Sequence, residues 1–247
     1  MDLTEYNKRA WNKFVENKDQ WTIPVSSQII ENARNGNFSI VLTPEKPVPD
    51  DWFPQPLKGK KVLALASGGG QQGPVLAASG AEVTIFDNSP LQLEQDRIVA
   101  TRDNLILTTV EGDMANLSCF ATESFDFIFH PCSNCFVPDV KKVWQEAYRV
   151  LKKGGSMISG FCNPIIFTPD FELEKAGVTQ LKYKIPYSDL DSLTEQEREK
   201  YIKNGPLSFG HSLEDLIGGQ IKAGFILTGF YEDNWDAENS SVARYLN

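Results

Sequence analysis

Residues 61–73 read KVLALASGGGQQG, and this stretch decides the fold class. The apolar run Lys61–Ala66 is typical of a buried strand. The glycines at 68–70 let the backbone turn sharply and approach a ligand closely. A helix-like segment follows up to Ser79, and Gly80 is its predicted stop. The stretch therefore predicts a strand, a glycine turn and a helix in succession, which is the first unit of an α/β sheet.

The same rhythm continues along the chain. Ser89 is a predicted helix N-cap, with Pro90 in the first turn and Gln92 completing a capping box. Further helices are expected at 139–151 and 212–223. Strands are expected at Ala81–Phe86, Leu105–Val110, Phe125–Phe129, Ser156–Phe161 and Phe225–Tyr231. This alternation predicts a doubly wound, mostly parallel sheet with right-handed crossovers.

The segments outside this rhythm suggest covers over the sheet. We interpret residues 1–247 as one domain. Its core, 59–162, follows a leader, 1–58, that carries aromatic residues, two short helices near 4–17 and 25–35, and a proline-rich strap. The polar insertion 163–210 leaves the fifth strand at the rim where ligands bind. Both segments are expected to cover an acceptor pocket, and 211–247 is expected to supply a helix and a strand.

The composition argues against several classes of protein. The chain has 247 residues, of which 41% are apolar and 23% charged, as in ordinary globular proteins. The net charge of −9 and the scattered basic residues argue against a nucleic-acid partner. The sequence has no apolar stretch of about 18 residues and no apolar signal core, and its four cysteines do not suggest a disulfide framework. We expect a cytoplasmic protein without a membrane partner; the oligomeric state is left open.

An acidic residue marks a nucleoside site. Asp87 ends the second predicted strand, 19 residues after Gly68. A carboxylate at this place can accept hydrogen bonds from both ribose hydroxyls of an adenosine. NAD-dependent enzymes also combine a glycine turn with an acid at this place. These two features alone therefore do not distinguish an NAD-dependent enzyme from other enzymes that bind an adenosine.

Five segments, in this order along the chain, distinguish between the cofactor classes. They are VLALASGGG (62–70), EVTIFDNSP (82–90), EGDM (111–114), SFDFIFHPCSNCFVPD (124–139) and YRVLKKGGSM (148–157). Their succession resembles class I S-adenosylmethionine-dependent methyltransferases, most of all the small-molecule "type 11" branch. The resemblance is close over 59–162 and looser over 212–232. It implies a Rossmann-like methyltransferase fold, S-adenosylmethionine as cofactor and S-adenosylhomocysteine as product.

The resemblance also assigns positions around the cofactor. The turn would surround the methionine part, Asp87 would bind the ribose, the positions after it would line the adenosine, and the 112–114 turn would hold the adenine. The backbone after the fourth strand would pass near the sulfonium. The complete expected set is Ala66, Ser67, Gly68, Gly70, Gln71, Asp87, Asn88, Gln92, Gly112, Asp113, Met114, His130 and Pro131.

Three features depart from the family pattern. Ala64 stands where the family usually has an acid in the first strand, and Ala66 stands where a further glycine is expected. A contact to the cofactor's amino group would then come from Gln71, Gln72 or the leader. After Tyr231, Val242–Leu246 is a poor candidate for the family's last strand.

Methyl transfer is an in-line displacement that mainly needs alignment and exclusion of water. A general base is required only for an acceptor that arrives protonated. His130, at the carboxyl end of the fourth strand, is the candidate base, and Asn134 is a candidate to orient the acceptor. The alternatives are a structural histidine bonded to a backbone carbonyl and a loop-capping asparagine. His211 is a second, weaker candidate.

The pair Cys132 and Cys135 forms a CxxC motif, which raises the possibility of a zinc or redox site with Cys162 and His130. A zinc site needs four well-placed ligands, usually from two paired motifs, and only one pair exists here. We therefore interpret the cysteines as packing residues and expect no metal.

The sequence predicts S-adenosylmethionine-dependent methyl transfer to a small molecule. One alternative is an NAD(P)-dependent oxidoreductase, which would explain the glycine turn and Asp87 but not EGDM, and which would need a Tyr-x-x-x-Lys pair that is not evident. The other is a non-enzymatic protein of the same fold that binds the cofactor without turnover. The acceptor atom cannot be assigned from the residues.

Overall fold

A computed structural model describes residues 1–43 and 45–233. Its centre is a five-stranded parallel sheet in the order β3-β2-β1-β4-β5. The strands are β1 (Lys61–Leu65), β2 (Glu82–Asp87), β3 (Leu107–Glu111), β4 (Phe125–His130) and β5 (Leu151–Ser159). The predicted parallel α/β sheet is confirmed over these five strands.

The strand order creates the ligand crevice. The chain moves outward from β1 through β2 to β3 and then returns to the other side of β1 as β4, so that Ala64 of β1 lies between Ile85 and Phe129. The loops after β1 and β4 therefore diverge at the carboxyl edge of the sheet. A crevice opens at such a switch point, and ligands of doubly wound folds bind there.

Helices cover both faces of the sheet. They are α1 (Leu3–Glu16), α2 (Ser27–Arg34), α3 (Gln72–Ala78), α4 (Pro90–Asp103), α5 (Val140–Val150), α6 (Phe171–Lys175), α7 (Asp189–Ser192), α8 (Glu195–Tyr201) and α9 (Gly219–Ala223). Because side chains alternate along a strand, β1 serves two cores. Val62 and Ala64 pack with the side of α2, α3 and α4, whereas Leu63 and Leu65 pack with Trp144 of α5.

Local signals set the start of α4, with one correction. Ser89 is the N-cap and its hydroxyl accepts a hydrogen bond from the backbone of Gln92, as predicted. The reciprocal half of the capping box is wrong, because Oε1 of Gln92 has no hydrogen-bond partner among the described residues. The Gln92 side chain instead reaches the cavity described below.

The insertion forms a small unit of its own. Strands β6 (Tyr187–Ser188) and β7 (Phe209–Gly210) pair antiparallel, and α6, α7 and α8 lie between the core and β7 in the chain. An aromatic group of Phe167, Phe171, Tyr183 and Tyr187 packs within it. A buried leader residue, Asn7, joins this unit to the leader.

Among the described residues, 225–231 pair with no strand, and Ile226 and Phe230 are largely exposed. Phe225 packs edge-on against Tyr148 of α5 with ring centroids 5.2 Å apart. The strand expected at 225–231 stays a prediction. The candidate last strand Val242–Leu246 lies outside the described residues.

Among the helices of the described residues, none is both long enough and apolar enough to span a bilayer.

Candidate functional site

A cavity of about 640 Å³ lies at the carboxyl edge of the sheet. It runs from the turn after β3, past the ends of β2 and β1, to the loops after β4 and β5. Eleven of the thirteen positions expected around a cofactor line it: Ala66, Ser67, Gly68, Gln71, Asp87, Asn88, Gln92, Gly112, Asp113, Met114 and Pro131. The two exceptions are Gly70 and His130.

The turn after β1 is shaped by its backbone. Ala66 has a φ of +48°, a region that an L side chain adopts at a cost, and this is the position where the resemblance led us to expect glycine. A β-carbon at Gly68 would lie 2.8 Å from Cβ of Gln92, so this position has no room for a side chain. The turn therefore brings bare backbone to the cavity.

A buried carboxylate supports the turn from behind. Asp96 of α4 is fully buried and accepts hydrogen bonds from the amides of Gly69 and Gly70, at 3.1 and 2.9 Å. Burial raises the pKa of Asp96 well above its usual value. Gly70 does not line the cavity, because it lies between the leader and α4, with its carbonyl accepting from Val25. Its place beside the cofactor stays a prediction.

Asp87 is held with both carboxylate oxygens directed. Oδ2 accepts from the amide of Gly68 at 3.0 Å and Oδ1 from the amide of Ser89 at 2.9 Å. Burial raises the pKa of Asp87, and these backbone bonds oppose that rise. Each carboxylate oxygen has a further lone pair. The carboxylate is thus fixed at the cavity wall with acceptor capacity left for two hydroxyl groups.

Gln92 gives an independent test of the fit to an adenosine. Its side chain lines the cavity and is 4% exposed, yet its Oε1 has no partner among the described residues. Buried polar atoms are normally hydrogen-bonded, so this oxygen is an acceptor without its donor. It lies on α4, beside Asp87 and the glycine turn, where a nucleoside hydroxyl or amino group would supply the donor.

The far end of the cavity is closed by the leader. Asp113 caps its own turn by accepting from the amide of Ala115 at 2.9 Å, and its other oxygen accepts from the hydroxyl of Thr4 at 3.3 Å. The amide of Asn88 donates to the carbonyl of Thr4 at 3.4 Å. Met114 lies beside them in the wall. One leader residue, which the sequence did not single out, therefore bridges two expected cofactor positions.

The leader forms much of the remaining wall. Trp11 and Trp21 line the cavity, whereas Phe53 is buried in the core below the sheet, and Trp52 packs on Tyr231. Of the described residues in 163–210, none lines the cavity. Asn7 of the leader bonds Leu207 of the insertion, and the expected role of the insertion as an acceptor cover stays a prediction.

Gln71 lies in the cavity wall, but its side-chain amide is already hydrogen-bonded to the leader. Its side-chain amide donates to the carbonyls of Gln20 and Ile23 at 3.3 and 3.0 Å. The neighbouring Gln72 accepts from the hydroxyl of Ser67 at 3.2 Å. The side-chain amide of Gln71 thus secures the leader to the glycine turn, leaving its oxygen to face other groups.

His130 and Asn134 lie outside the cavity wall. His130 is fully buried, its Nδ1 bonds the carbonyl of Leu65 at 2.9 Å, and its ring packs edge-on against Trp144. Burial lowers the pKa of His130 to about 4. The side-chain amide of Asn134 donates to the carbonyl of Gly160 at 2.7 Å, and the backbone carbonyl of Asn134 lies 3.1 Å from Nε2 of His211. Both side chains thus support the loop from behind the cavity wall, and their roles toward an acceptor stay a prediction that this geometry does not favour.

The loop after β4 meets the cavity through other residues. Ser133 donates to the carbonyl of Ala66 at 2.7 Å, which ties this loop to the glycine turn. Cys132, Cys135 and Cys162 all line the cavity, and the sulfurs of Cys132 and Cys162 are 3.2 Å apart. Within the described residues, no group of three or more His, Cys, Asp or Glu side chains is arranged to hold a metal ion.

Sequence reasoning missed Thr4, Asn7, Asp96 and Ser133. Each acts through contacts between segments far apart in the chain, for example 109 residues between Thr4 and Asp113. A local signal existed only for Asp96, an acid inside an otherwise ordinary helix. Ser133 lies inside the CxxC motif, but no motif names the partners of any of the four, and these became visible only in the folded chain.

Comparison with known proteins places this geometry in a family. Residues 63–159 match the model of a methyltransferase domain. An uncharacterized methyltransferase of Bacillus subtilis strain 168, YbaJ, is 58% identical over 232 residues, covering 94% of this chain and 91% of that protein.

Two solved structures share the fold. An S-adenosylmethionine-dependent methyltransferase from Mesorhizobium loti has a TM-score of 0.58 at 18% identity, covering 76% of this chain and 84% of that one. A putative S-adenosylmethionine-dependent methyltransferase from Listeria monocytogenes has a TM-score of 0.56 at 17% identity, covering 76% and 87%.

Proposed function

This chain belongs to the class I S-adenosylmethionine-dependent methyltransferase family, and from that premise we propose that it methylates a small molecule held beneath the leader, residues 1–58. It is an enzyme whose cofactor is S-adenosylmethionine. The relatives described above support neither an NAD(P)-dependent oxidoreductase nor a binder without turnover. The proposal concerns the acceptor and the residues that serve it.

We infer the position of the cofactor from the cavity-lining residues that fit an adenosine. Asp87 would accept from the ribose hydroxyls, and the unpartnered oxygen of Gln92 would accept from a donor of the same nucleoside. Asp113 and Met114 would hold the adenine, and the bare backbone at Gly68 would border the methionine part. When bound, the cofactor supplies an electrophilic methyl group on a sulfonium sulfur.

The acceptor would occupy the half of the cavity opposite the adenine end. Its walls are mainly apolar there: Trp11, Val41, Leu42, Phe136 and Val137 line it. Small-molecule sites typically combine such walls with a few polar groups. Leader and β4 loop together would hold the acceptor in line with the methyl group and exclude water.

The chain's contribution would be orientation rather than proton transfer. Among the described residues that line the cavity there is no histidine, since His130 and His211 bond backbone carbonyls behind the wall. Correct placement of two reactants can contribute about 7–11 kcal/mol to a barrier. An acceptor whose nucleophilic atom needs no imidazole base fits this site best.

One observation carries the proposal: a single cavity is lined both by the expected adenosine positions and by apolar residues of the leader and of the loop after β4. A large macromolecular acceptor would need an open edge at this place. A roofed chamber instead selects acceptors that fit inside it.

Thermal and calorimetric titration with S-adenosylhomocysteine tests the cofactor seat. At about 100 times the dissociation constant, it should stabilise the folded chain by about 2.7 kcal/mol, whereas NAD at the same concentration should have no effect. Adenosine is the matched partial ligand and should stabilise less, because it fills only one half of the cavity. Stabilisation by NAD without stabilisation by S-adenosylhomocysteine would refute the proposal.

A further inference from the structure

Two cysteines from different strands meet in the cavity wall. Cys132 follows the end of β4 and Cys162 follows the end of β5, and their sulfurs are 3.2 Å apart. Both are half-buried and line the cavity. The sequence had drawn attention to the CxxC pair of Cys132 and Cys135, but the contact that the fold creates is with Cys162.

The backbone holds this contact in place. β4 and β5 are neighbouring parallel strands, with His130 opposite Ser159 and the amide of Gly160 bonded to the carbonyl of His130 at 2.9 Å. Neighbouring strands lie about 4.8 Å apart, which falls in the range of backbone separations that disulfides bridge. The sulfurs at 3.2 Å would need to approach by about 1.2 Å to reach bonding distance.

The surroundings of the two thiols differ. The pKa of the Cys162 thiol is held well below its usual value because the thiols of Cys132 and Cys135 donate hydrogen bonds to its sulfur. The thiolate is the form that reacts with peroxides and disulfides. Since Cys162 opens onto the cavity, a small oxidant can reach it. Cys119, by contrast, is exposed on the surface, away from the cavity.

We propose that Cys132 and Cys162 form a reversible disulfide when a peroxide enters the cavity. The Cys162 thiolate attacks a peroxide oxygen, the O–O bond breaks, and hydroxide leaves a sulfenic acid on Cys162. The Cys132 thiol then attacks that sulfur, the S–O bond breaks, and water leaves. Two equivalents of a small thiol reduce the bond again and depart as their own disulfide.

The proposed disulfide lies between two loops of the cavity wall. The disulfide would tie the loops after β4 and β5 together in the wall shared with Leu42, whose carbonyl already accepts from the amide of Cys132 at 3.3 Å. Asp87, Gln92 and Asp113, at the other end of the cavity, contact neither cysteine. Formation of the bond does not rest on the proposed function.

Peptide mapping after oxidation tests the bond. The reduced full chain is treated with about one equivalent of hydrogen peroxide, its remaining thiols are blocked with N-ethylmaleimide, and the digest is analysed by mass spectrometry. We expect one cross-link, between Cys132 and Cys162, with Cys119 and Cys135 blocked. Dithiothreitol should restore four free thiols. A Cys132–Cys135 cross-link, or overoxidation of Cys162 without a cross-link, would overturn the proposal.

Serine variants sharpen the test. Cys132→Ser should remove the cross-link and leave a sulfenic acid on Cys162 that dimedone labels, and Cys162→Ser should remove both signals. Cys119→Ser is the matched control and should oxidise like the parent chain. Dimedone labelling confined to Cys119 would contradict the assignment. If a serine variant has a lowered melting temperature, the Cys132→Ala and Cys162→Ala chains repeat the measurement.

Ligand titration separates this proposal from the proposed function. The affinity for adenosine should agree within about twofold between reduced and oxidised chains, because the adenosine end is not touched. A large loss of adenosine affinity on oxidation would mean a general distortion of the cavity and would overturn the proposal of a bond confined to the wall at Cys132 and Cys162. Failure of adenosine and S-adenosylhomocysteine to bind either form would count against the proposed function while leaving the mapped disulfide intact.

Discussion

At the scale of single residues, Asp87 combines two tasks. Its carboxylate anchors the turn through the amides of Gly68 and Ser89, and it offers further acceptor capacity to the cavity. Removing the side chain would therefore disturb the turn as well as the ligand. An amide replacement of the same shape is the cleaner probe, because it keeps the volume and one acceptor oxygen while losing the charge.

Asp87→Asn should weaken binding of S-adenosylhomocysteine by about tenfold to a hundredfold. A hydrogen bond to a charged group contributes about 1.5–3 kcal/mol, and each 1.4 kcal/mol is a factor of ten in affinity. Calorimetry measures the change. Glu94→Gln is the control, since Glu94 forms an exposed ion pair with Arg97 on the same helix and does not line the cavity. Equal affinities for the two variants would show that Asp87 does not bind the ligand.

Ala66 is the second residue whose backbone matters. A non-glycine residue in the left-handed region costs about 1–2 kcal/mol, and glycine recovers this at an entropic cost of about 0.5–1 kcal/mol. Ala66→Gly should therefore leave stability unchanged or raise it by up to about 1 kcal/mol in urea unfolding, although it removes a side chain. Ala64→Gly, in β1 and fully buried, is the matched control and should destabilise. Equal losses in both would show that Ala66 is unstrained.

At the scale of elements, α1 is attached to two other segments by one side chain. The amide of Asn7 donates to the carbonyls of Phe136 and Leu207 at 3.0 and 3.1 Å, and its oxygen accepts from the amide of Leu207 at 2.8 Å. Asn7 is 2% exposed and lines the cavity. It thereby joins the leader, the loop after β4 and the insertion around the same chamber.

Asn7→Ala should destabilise the chain by about 2–3 kcal/mol, because it leaves buried backbone groups without partners at about 1–3 kcal/mol each. Urea unfolding gives the change in stability, and limited proteolysis should cut within 1–43 sooner than in the parent chain. Asn37→Ala, an exposed asparagine of the same leader, should change neither quantity. If Asn7→Ala resists the protease as the parent does, the leader is held mainly by its other contacts.

Helices and strands whose own residues carry a cap or an apolar pattern could be predicted from the sequence. Features that depend on residues far away in the chain could not. The helix beginning at Ser89 carries its own cap, and the buried runs of β1, β2 and β4 carry their apolar pattern. Residues 225–231 carry a similar apolar pattern but pair with no strand among the described residues. A strand needs a partner edge as well as a pattern, and the pattern alone does not say whether the edge is used.

At the scale of the whole molecule, the buried His130 couples stability to pH. In the fold its pKa is lowered to about 4, whereas in the unfolded chain it is near 6.5. Between these values the unfolded chain binds more protons, so the contribution of His130 is fully present above pH 6.5 and is lost as the pH falls toward 4. At about 1.4 kcal/mol per pKa unit, the loss reaches about 3 kcal/mol.

The free energy of unfolding, measured in urea from pH 7.5 to 4, tests this coupling. The parent chain should lose about 3 kcal/mol more over this range than His130→Asn, whose amide keeps a donor for the carbonyl of Leu65 without a titrating ring. His211, whose pKa burial also lowers, is present in both chains and cancels in the comparison. Parallel pH profiles for the two chains would show that His130 is accessible to protons in the fold.

Four features could be predicted from the amino-acid sequence alone: the parallel α/β class, the glycine turn, the acid at the end of β2 and the resemblance to methyltransferases. These depend on residues close together in the chain, where periodicity, helix caps and turn glycines act within a few positions. Eleven of thirteen expected cofactor positions line one cavity for this reason, since the carboxyl ends of parallel strands share an edge.

Which side chains of that edge face the cavity depends on the packing of the folded chain. His130 and Cys132 are two positions apart, yet the histidine points into the core beside Trp144 and the cysteine lines the cavity against Cys162. The leader covers the cavity through bonds from Asn7 to Phe136 and from Thr4 to Asp113, each spanning more than 100 residues of the chain. Side-chain direction past a strand end depends on the packing of both faces and on loop bonds, and no local pattern encodes either.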